Sequence, residues 1–465
     1  MTGRASVRAL RPILGIAAVG VVLAVLAGAA PGQEAILPEG AGPLSHEEAG
    51  IAGRLRSALG YLAILGIAFL FSTKRSAVSR RIVGWGVALQ LVFGLFVLKT
   101  EVGKIFFDFV KDVFIALLAF TQEGAEFVVG VLAFQPGTPG HLGFIFVTQV
   151  LPTIIFFASL MTVLYHLGVM QLVVGAIAWV MRFAMRTSGA ESLSAAANIF
   201  VGQTEAPLLV KPFVSKMTRS ELMAIMTGGF ATIAGGVMAS YIAFLKDSFP
   251  DIAGHLLTAS VMNAPAGLVL AKILVPETEQ PETRGTLKVR VERPDPNVIG
   301  AAARGASEGM SLVLNVTAML LAFVALVYLV NGLLGGIGLG ENALQRILGT
   351  VFRPLAWLLG VNWTDAHPVG NLIGEKLVLT EFFAYTHLGN GLKSGELVLT
   401  DRSVRIASYA LLGFANVASI GIQIGGIGGI APERRGDLAR LGVRAMIAGM
   451  LAACMSAALA GMIVG

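Results

Sequence analysis

Cysteine is almost absent: Cys454 is the single one in a chain of 465 residues. That excludes a disulfide framework and any metal site built on thiolates, and Cys454 itself reads as a small buried apolar residue. Histidine is hardly more informative. The six histidines are scattered, with no HExxH and no pair four residues apart, which disfavours a zinc enzyme. His166, after Tyr165, and His387, after "FFAY", read as structural residues. No phosphate-binding loop is present, so ATP-driven transport has no support in this chain. The scarcity with the widest consequence is charge. Asp, Glu, Lys and Arg make up 13% of the residues against 55% hydrophobic ones, and the mean hydropathy is +0.78. That leaves too little polar surface to cover a soluble globule of this size. The formal net charge is +6, yet the basic residues cluster at the ends of apolar stretches and form no stripe interleaved with aromatics. They therefore speak for membrane orientation and against nucleic-acid binding.

Long apolar sequence is what the chain has in abundance. Stretches near 58–73, 82–98, 142–165, 221–245, 255–275, 311–336, 404–425 and 441–464 approach the ~20 apolar residues that a bilayer-crossing helix needs. The expected fold class is an all-α polytopic membrane protein with about eight transmembrane helices. At the amino terminus Arg4, Arg8 and Arg11 precede an apolar run and then the small residues Ala27, Gly28, Ala29 and Ala30. This is the pattern of a signal peptide or, if uncleaved, of a signal anchor. Either way, residues near 31–55 fall outside the cytoplasm. Counting spans from there places the most basic short loop, "TKRSAVSRR" with Lys74, Arg75, Arg80 and Arg81, inside the cell. Arg182, Arg186, Lys211, Lys216, Arg219, Arg434, Arg435, Arg440 and Arg444 fall on the same side, as the positive-inside rule requires. Both mature termini are then outside. The segment "PETEQPETRGTLKVRVERPDPN" at 276–297 reads as a solvated cytoplasmic linker between two halves, and Asp108 with Lys111 in "KIFFDFVKDVF" suggests an amphipathic surface helix.

The two halves repeat each other. Gly229, Phe230, Ala231, Thr232, Ile233 and Ala234 match Gly413, Phe414, Ala415, Asn416, Val417 and Ala418 in order. Each copy follows a carboxylate in an apolar segment interrupted by polar residues: Glu205 in "NIFVGQTEAPLLVKPF" and Glu381 in "GEKLVLTEFFAYTHLGNG". By the span count these segments leave from opposite sides, which is the inverted-repeat design of secondary transporters. Pro207 and Pro212 stop a helix from running through the first segment, which also holds Asn198, Gln203 and Thr204. Carboxylates in a membrane are costly unless paired or hydrated, so Glu205 and Glu381 are functional candidates. Gly413, Gly421, Gly425, Gly426, Gly428 and Gly429 are expected to make "GFANVASIGIQIGGIGGI" a poor regular helix, with Asn416 and Ser419 on one face. Unwound backbone is tolerated in a membrane where it lines a cavity or binds something.

Taken in order, "GQTEAPLLVKPF", "MTGGFATIAG", "APAGLVLAKILVPETE", "LTEFFAY" and "GFANVASIGIQIGG" resemble the concentrative nucleoside transporter family, over most of the chain from residue 145 to 460. The residues before that match only in general character, and the family does not require the signal-like segment. The resemblance implies two re-entrant hairpins, near 188–217 and 367–400, each followed by a partly unwound span, with an interfacial helix around 169–186. It divides the chain into the signal segment 1–30, scaffold helices 31–168, a first transport half 169–275, the linker 276–310, a scaffold helix and external amphipathic helix 311–366, and a second transport half 367–465. The transport domain would move against the scaffold, and three protomers would form a homotrimer in the lipid bilayer of a bacterial-type cytoplasmic (inner) membrane.

Carried over position by position, the resemblance places Gln203, Thr204 and Glu205 on the nucleobase with Val237 against it, and Glu381, Asn416 and Ser419 on the ribose hydroxyls with Phe414 lining the same pocket. The family's sodium site falls on Asn198, Val201, Thr232 and Ile233, partly through backbone carbonyls. The chemistry agrees on its own terms. An uncharged nucleoside needs hydrogen-bond partners in place of countercharges, and a carboxylate can accept from two vicinal hydroxyls. Sodium, a hard cation, prefers the oxygens that Asn, Thr and unwound carbonyls supply. The expected function is import of nucleosides, uridine and adenosine among them, by Na+ symport, with H+ as the alternative coupling ion. An intramembrane enzyme using Glu205 and Glu381 as an acid/base pair is the reading from another class. Gly202, before "QTEAP", and Gly236 are expected to leave space at the base end of the pocket and so to admit purines.

Overall fold

In the computed structural model, residues 50–134, 139–143, 145–284 and 295–463 are described, and every regular element among them is helical. The signal-like segment and residues 285–294 of the linker lie outside the described residues. The chain runs through α1 (Ile51–Leu70), α2 (Arg80–Lys99) and α3 (Glu101–Val129), then, after a single turn at Phe146–Gln149, α4 (Pro152–Leu167) and α5 (Val169–Met185). α3 is the amphipathic helix expected around Asp108 and Lys111, and Lys111 Nζ meets Asp251 Oδ1 at 3.0 Å.

A short helix α6 (Gly189–Ala197) opens the first hairpin, whose return limb is a 3-10 turn (Ala206–Val210) and a helical turn (Lys211–Val214). Pro207 and Pro212 sit in the first turn of these two pieces, where a missing N–H costs nothing. α7 (Arg219–Ala231), α8 (Gly235–Leu245) and α9 (Ile252–Leu274) complete the first half. The long α10 (Val298–Gly336) packs along α4 and is otherwise largely exposed, and α11 (Ala343–Leu358) packs on α12 (Ala366–Val378). α12 and α13 (Glu381–Ser394) form the second hairpin; α14 (Asp401–Leu411), α15 (Val417–Ile430) and α16 (Arg435–Ile463) follow. The buried core forms where α16 packs against α7, α9, α1 and α14.

Among the described residues, seven helical stretches are long and apolar enough to cross a membrane: Ile51–Leu70, Arg80–Lys99, Phe146–Leu167, Arg219–Leu245, Ile252–Leu274, Val298–Gly336 and Pro432–Ile463. The remaining expected stretch, 404–425, is divided between α14 and α15, which flank residues 412–416. One expectation is corrected here. The glycine run from Gly421 to Gly429 is not irregular but lies within regular helix α15, and the chain leaves the helix only before Val417. Gly421, Gly425 and Gly429 have nothing within 4 Å of an added Cβ, so these glycines neither break the helix nor serve close packing.

The first hairpin is anchored by paired caps. Ser188 and Glu191 form a capping box on α6, Thr218 and Glu221 form another on α7, and Ser188 Oγ donates to Glu221 Oε1 at 2.6 Å. Each box satisfies two of a helix's free N–H groups. Lys272 of α9 meets Glu191 at 2.6 Å with both side chains almost fully buried, so hairpin, α7 and α9 are tied at one end while the tip is left to the chemistry at the other.

Candidate functional site

The site begins where two broken helices cross. α7 stops at Ala231, Thr232 is extended (φ −121°, ψ 175°), and α8 restarts at Gly235. In the second half α14 stops at Leu411 and Gly413 takes φ 107°. Phe414 N–H donates to Thr232 O at 3.3 Å, joining the two breaks. A Cβ on Gly413 would lie 2.6 Å from Phe230 O and 2.8 Å from Ala231 O, so both conformation and approach demand glycine. Helix ends freed in this way need partners. α8 has no side-chain cap, and its Gly235 N–H instead donates to Phe200 O of the first hairpin tip at 2.9 Å. α15 is capped by Asn416, whose Oδ1 accepts from Ser419 N at 2.9 Å.

From Asn416 a continuous polar chain runs through the buried interior. Glu381, at the start of α13, accepts from Tyr241 OH at 3.0 Å and from Asn416 Nδ2 at 2.7 Å. Gln203 Nε2 donates to Ser419 Oγ at 3.2 Å, and Gln203 Oε1 accepts from Gln423 Nε2 at 3.0 Å. Gln423 Nε2 also donates to Met226 O at 3.1 Å. Four residues singled out in the sequence, Gln203, Glu381, Asn416 and Ser419, thus join one network, although they come from both hairpins and the second break. Tyr241 and Gln423 belong to it as well and were not anticipated. A lone amide within "IGIQIGG" and a tyrosine within "MASYIAF" were the available signals.

The other candidates sit around this chain. Thr204 lies against α15 at Gly426, whose added Cβ would fall 2.7 Å from Thr204 Cγ2. Phe414 is half-buried at the crossing, Val237 is buried in α8, and Glu205 is exposed. Glu205 and Val237 are not links of the chain. Two expectations about space are corrected. An added Cβ at Gly202 would collide with the Glu205 carboxylate, and one at Gly236 would lie 3.3 Å from Ile154 O of α4. Neither glycine opens the pocket: Gly202 makes room for Glu205, and Gly236 for the neighbouring helix. Gly202→Ser is therefore expected to push the Glu205 carboxylate aside and weaken uridine and adenosine uptake alike, a comparison that competition assays make directly. A loss confined to adenosine would restore the reading in which Gly202 selects the base.

A second cluster lies on the other side of the first break. Asn198, the C-cap of α6, is fully buried; its Nδ2 donates to Ser194 O at 3.0 Å while its Oδ1 has no partner. Thr232 Oγ1 donates to Gly228 O at 2.9 Å, which leaves its lone pairs free to accept. Ser194 Oγ on α6 and Thr227 Oγ1 on α7 are also buried without partners. An orphaned buried carbonyl is costly, and a small hard cation is the kind of ligand that neutral oxygens of this type hold. Val201 and Ile233 have apolar side chains, so a backbone carbonyl is the one oxygen that either could offer to an ion.

His387 is hydrogen-bonded within the second hairpin: its Nδ1 lies 2.8 Å from Glu375 Oε2, and Asn371 Nδ2 donates to Glu375 Oε1 at 3.1 Å. The stretch "GASEG" at 305–309 matches the GxSxG pattern of serine hydrolases. It lies within α10, with Ser307 Oγ donating to Ala303 O at 3.1 Å, and not on the strand-to-helix turn that such a nucleophile needs.

Comparison with known proteins covers most of the chain. Family models match at residues 59–132 (Na+ dependent nucleoside transporter N-terminus), 147–248 (nucleoside recognition) and 255–461 (Na+ dependent nucleoside transporter C-terminus). An uncharacterized transporter of Haemophilus influenzae is 46% identical over 417 residues, covering 88% of this chain and 98% of that protein. Sodium/nucleoside cotransporter 1 of Rattus norvegicus is 41% identical over 436 residues, covering 90% of this chain and 65% of that longer protein. A solved structure of CNTnw in an inward-facing substrate-bound state superposes with a TM-score of 0.83 at 43% identity, covering 88% of this chain and 99% of that one. A variant of CNTnw in an outward-facing state gives 0.81 at 42% identity, over 88% and 97%.

Proposed function

Because the chain belongs to the Na+ dependent nucleoside transporter family, we propose that it imports nucleosides by sodium symport, with alternating access of a two-hairpin transport domain. It is an integral membrane protein and not an enzyme. The observation that carries the specific reading is the buried chain from Glu381 through Asn416 and Ser419 to Gln203, built across two crossing helix breaks. Every link in it can exchange its partner for a substrate hydroxyl or base edge without stranding a charge.

In this reading Glu381, Asn416 and Ser419 accept the ribose and Phe414 lines the pocket, while Gln203, Thr204 and Glu205 take the base beside Val237. Sodium binds as co-substrate at Asn198 and Thr232 with the carbonyls of Val201 and Ile233. Coupling follows from connectivity. Asn198, Val201 and Gln203 lie on one hairpin tip, which also caps α8 through Phe200 O, so an ion that orders the tip also positions the base-binding residues. An ion that binds the ordered state better raises nucleoside affinity by the same factor by which the nucleoside raises its own. The relatives solved in inward- and outward-facing states support the alternating-access part of the proposal. We place the protein, as a homotrimer, in a bacterial-type cytoplasmic membrane with its mature termini outside.

Uptake of labelled uridine and adenosine into vesicles tests the reading, with accumulation of the intact nucleosides in a sodium gradient as the expected result. Asn198→Ala removes the unpartnered carbonyl and is expected to raise the sodium concentration needed for half-maximal uptake by about tenfold or more, the loss of one ligand to a cation being worth at least ~1.4 kcal/mol. Equal uptake in sodium-free choline medium under an imposed proton gradient would instead make H+ the coupling ion.

A further inference from the structure

The second half contains a buried ammonium with no part in the mechanism above. Lys376, near the end of α12, is 1% exposed, and its Nζ donates to Ala410 O and to Leu412 O, each at 2.9 Å. These are carbonyls at the broken end of α14, where the chain turns into Gly413. Among the described residues Lys376 has no ion-pair partner. The contrast with the other fully buried lysine is direct, since Lys272 has Glu191 at 2.6 Å. An ammonium buried without a salt-bridge partner is costly. What offsets that cost here is the negative end of a helix and its free carbonyls, the same oxygens that coordinate inorganic cations in unwound membrane segments.

The corresponding place in the first half is satisfied differently. The register that pairs Gly229 with Gly413 sets Met226 and Gly228 against Ala410 and Leu412. Met226 O accepts from Gln423 Nε2 at 3.1 Å and Gly228 O from Thr232 Oγ1 at 2.9 Å. Both donors are neutral, and Asn198 Oδ1, Ser194 Oγ and Thr227 Oγ1 of the first half are buried oxygens without partners. One half therefore carries a positive charge on a side chain, and the other offers oxygens to a free ion. Lys376 lies on the limb of the second hairpin that precedes Glu381.

We propose that Lys376 is the tethered cation of the second half: it holds the broken end of α14 with the positive charge that the first half takes from a mobile ion, and thereby confines ion coupling to the first half. The inference rests on the cation-coupled reading, without depending on which ion is carried. It makes Lys376 a positioning residue for nucleoside recognition and the determinant of how many charges accompany each nucleoside.

The test uses the full chain in vesicles, with Lys376→Gln, which keeps two N–H donors and drops the charge, and Lys376→Met, which drops both. For the wild type, one charge enters per uridine and uptake is first order in the coupling cation. Lys376→Gln is expected to bind uridine about tenfold more weakly, the scale of one lost charge-assisted interaction, and to take up uridine with second-order dependence on cation. Methylammonium is expected to restore uridine binding to Lys376→Met, and tetramethylammonium at equal ionic strength is not. Wild-type affinity with first-order dependence in Lys376→Gln would overturn the proposal, because hydrogen bonds alone would then suffice. Two charges per uridine in the wild type would also overturn it. Recovery of neither variant as folded protein by size exclusion would assign Lys376 to folding and end the proposal as well. If sodium proves irrelevant, the sodium reading fails separately, because charge per nucleoside is counted whatever ion carries it.

Discussion

Replacing Glu381 by alanine is expected to weaken uridine and adenosine by about tenfold to a hundredfold, because one charge-assisted hydrogen bond to a neutral ligand contributes roughly 1.5–3 kcal/mol. The loss should be selective. A carboxylate placed to accept from vicinal hydroxyls matters only to ligands that carry them, so 2′,3′-dideoxy analogues should lose little beyond their already lower affinity. Competition against labelled uridine measures both. The structure adds a second route that the comparison must separate. Glu381 also receives Asn416 Nδ2, and Asn416 caps α15; a cap is worth about 1 kcal/mol. If Glu381 acted only by orienting that cap, ribosides and dideoxy analogues would weaken equally, and equal losses would remove Glu381 from direct contact with the sugar.

Gly413→Ala is expected to abolish most uptake and to destabilise the folded protein. Two penalties combine. A side chain at φ 107° is strained by about 1–3 kcal/mol. Overlap of the new Cβ with Phe230 O and Ala231 O adds about 1–3 kcal/mol. The clash is with backbone, which cannot swing away, and it falls where the two breaks are joined by the Phe414 to Thr232 hydrogen bond. Gly421→Ala is the control. It lies in regular helix with nothing within 4 Å of the new methyl, so it should be neutral or gain about 0.5–1 kcal/mol. Thermal unfolding followed by size exclusion, with uptake measured in parallel, checks both. A Gly413→Ala protein as stable and active as the wild type would mean that the breaks do not need to touch.

Part of the candidate site was legible in the sequence. Glu205 and Glu381 stood out because carboxylates are rare in apolar sequence, and the Gly-Phe-Ala repeat marked both breaks. The α6 hairpin was visible in Pro207 and Pro212. The glycines were the residues most easily misread. Gly413 does break a helix, whereas Gly421, Gly425 and Gly429 do not, and Gly202 and Gly236 are filled by Glu205 and by α4 and do not widen the pocket. In sequence these positions look alike. Their difference lies in what stands opposite, and that is set by elements far away along the chain.

The sequence by itself determined the solvent, the helical class and the neighbourhood of each break, because these follow from quantities local to each segment: apolar content, polar interruptions of apolar runs, and the inability of proline to continue a helix. Only the tertiary structure decided which polar groups meet. Tyr241, Gln423 and Lys376 carry no distinguishing neighbours in the sequence; each acquires its role from a partner on another element, Glu381, Gln203 and the end of α14 respectively. Buried polar groups must find partners wherever the packing brings them, and the packing here is the crossing of two broken helices from opposite halves of the chain.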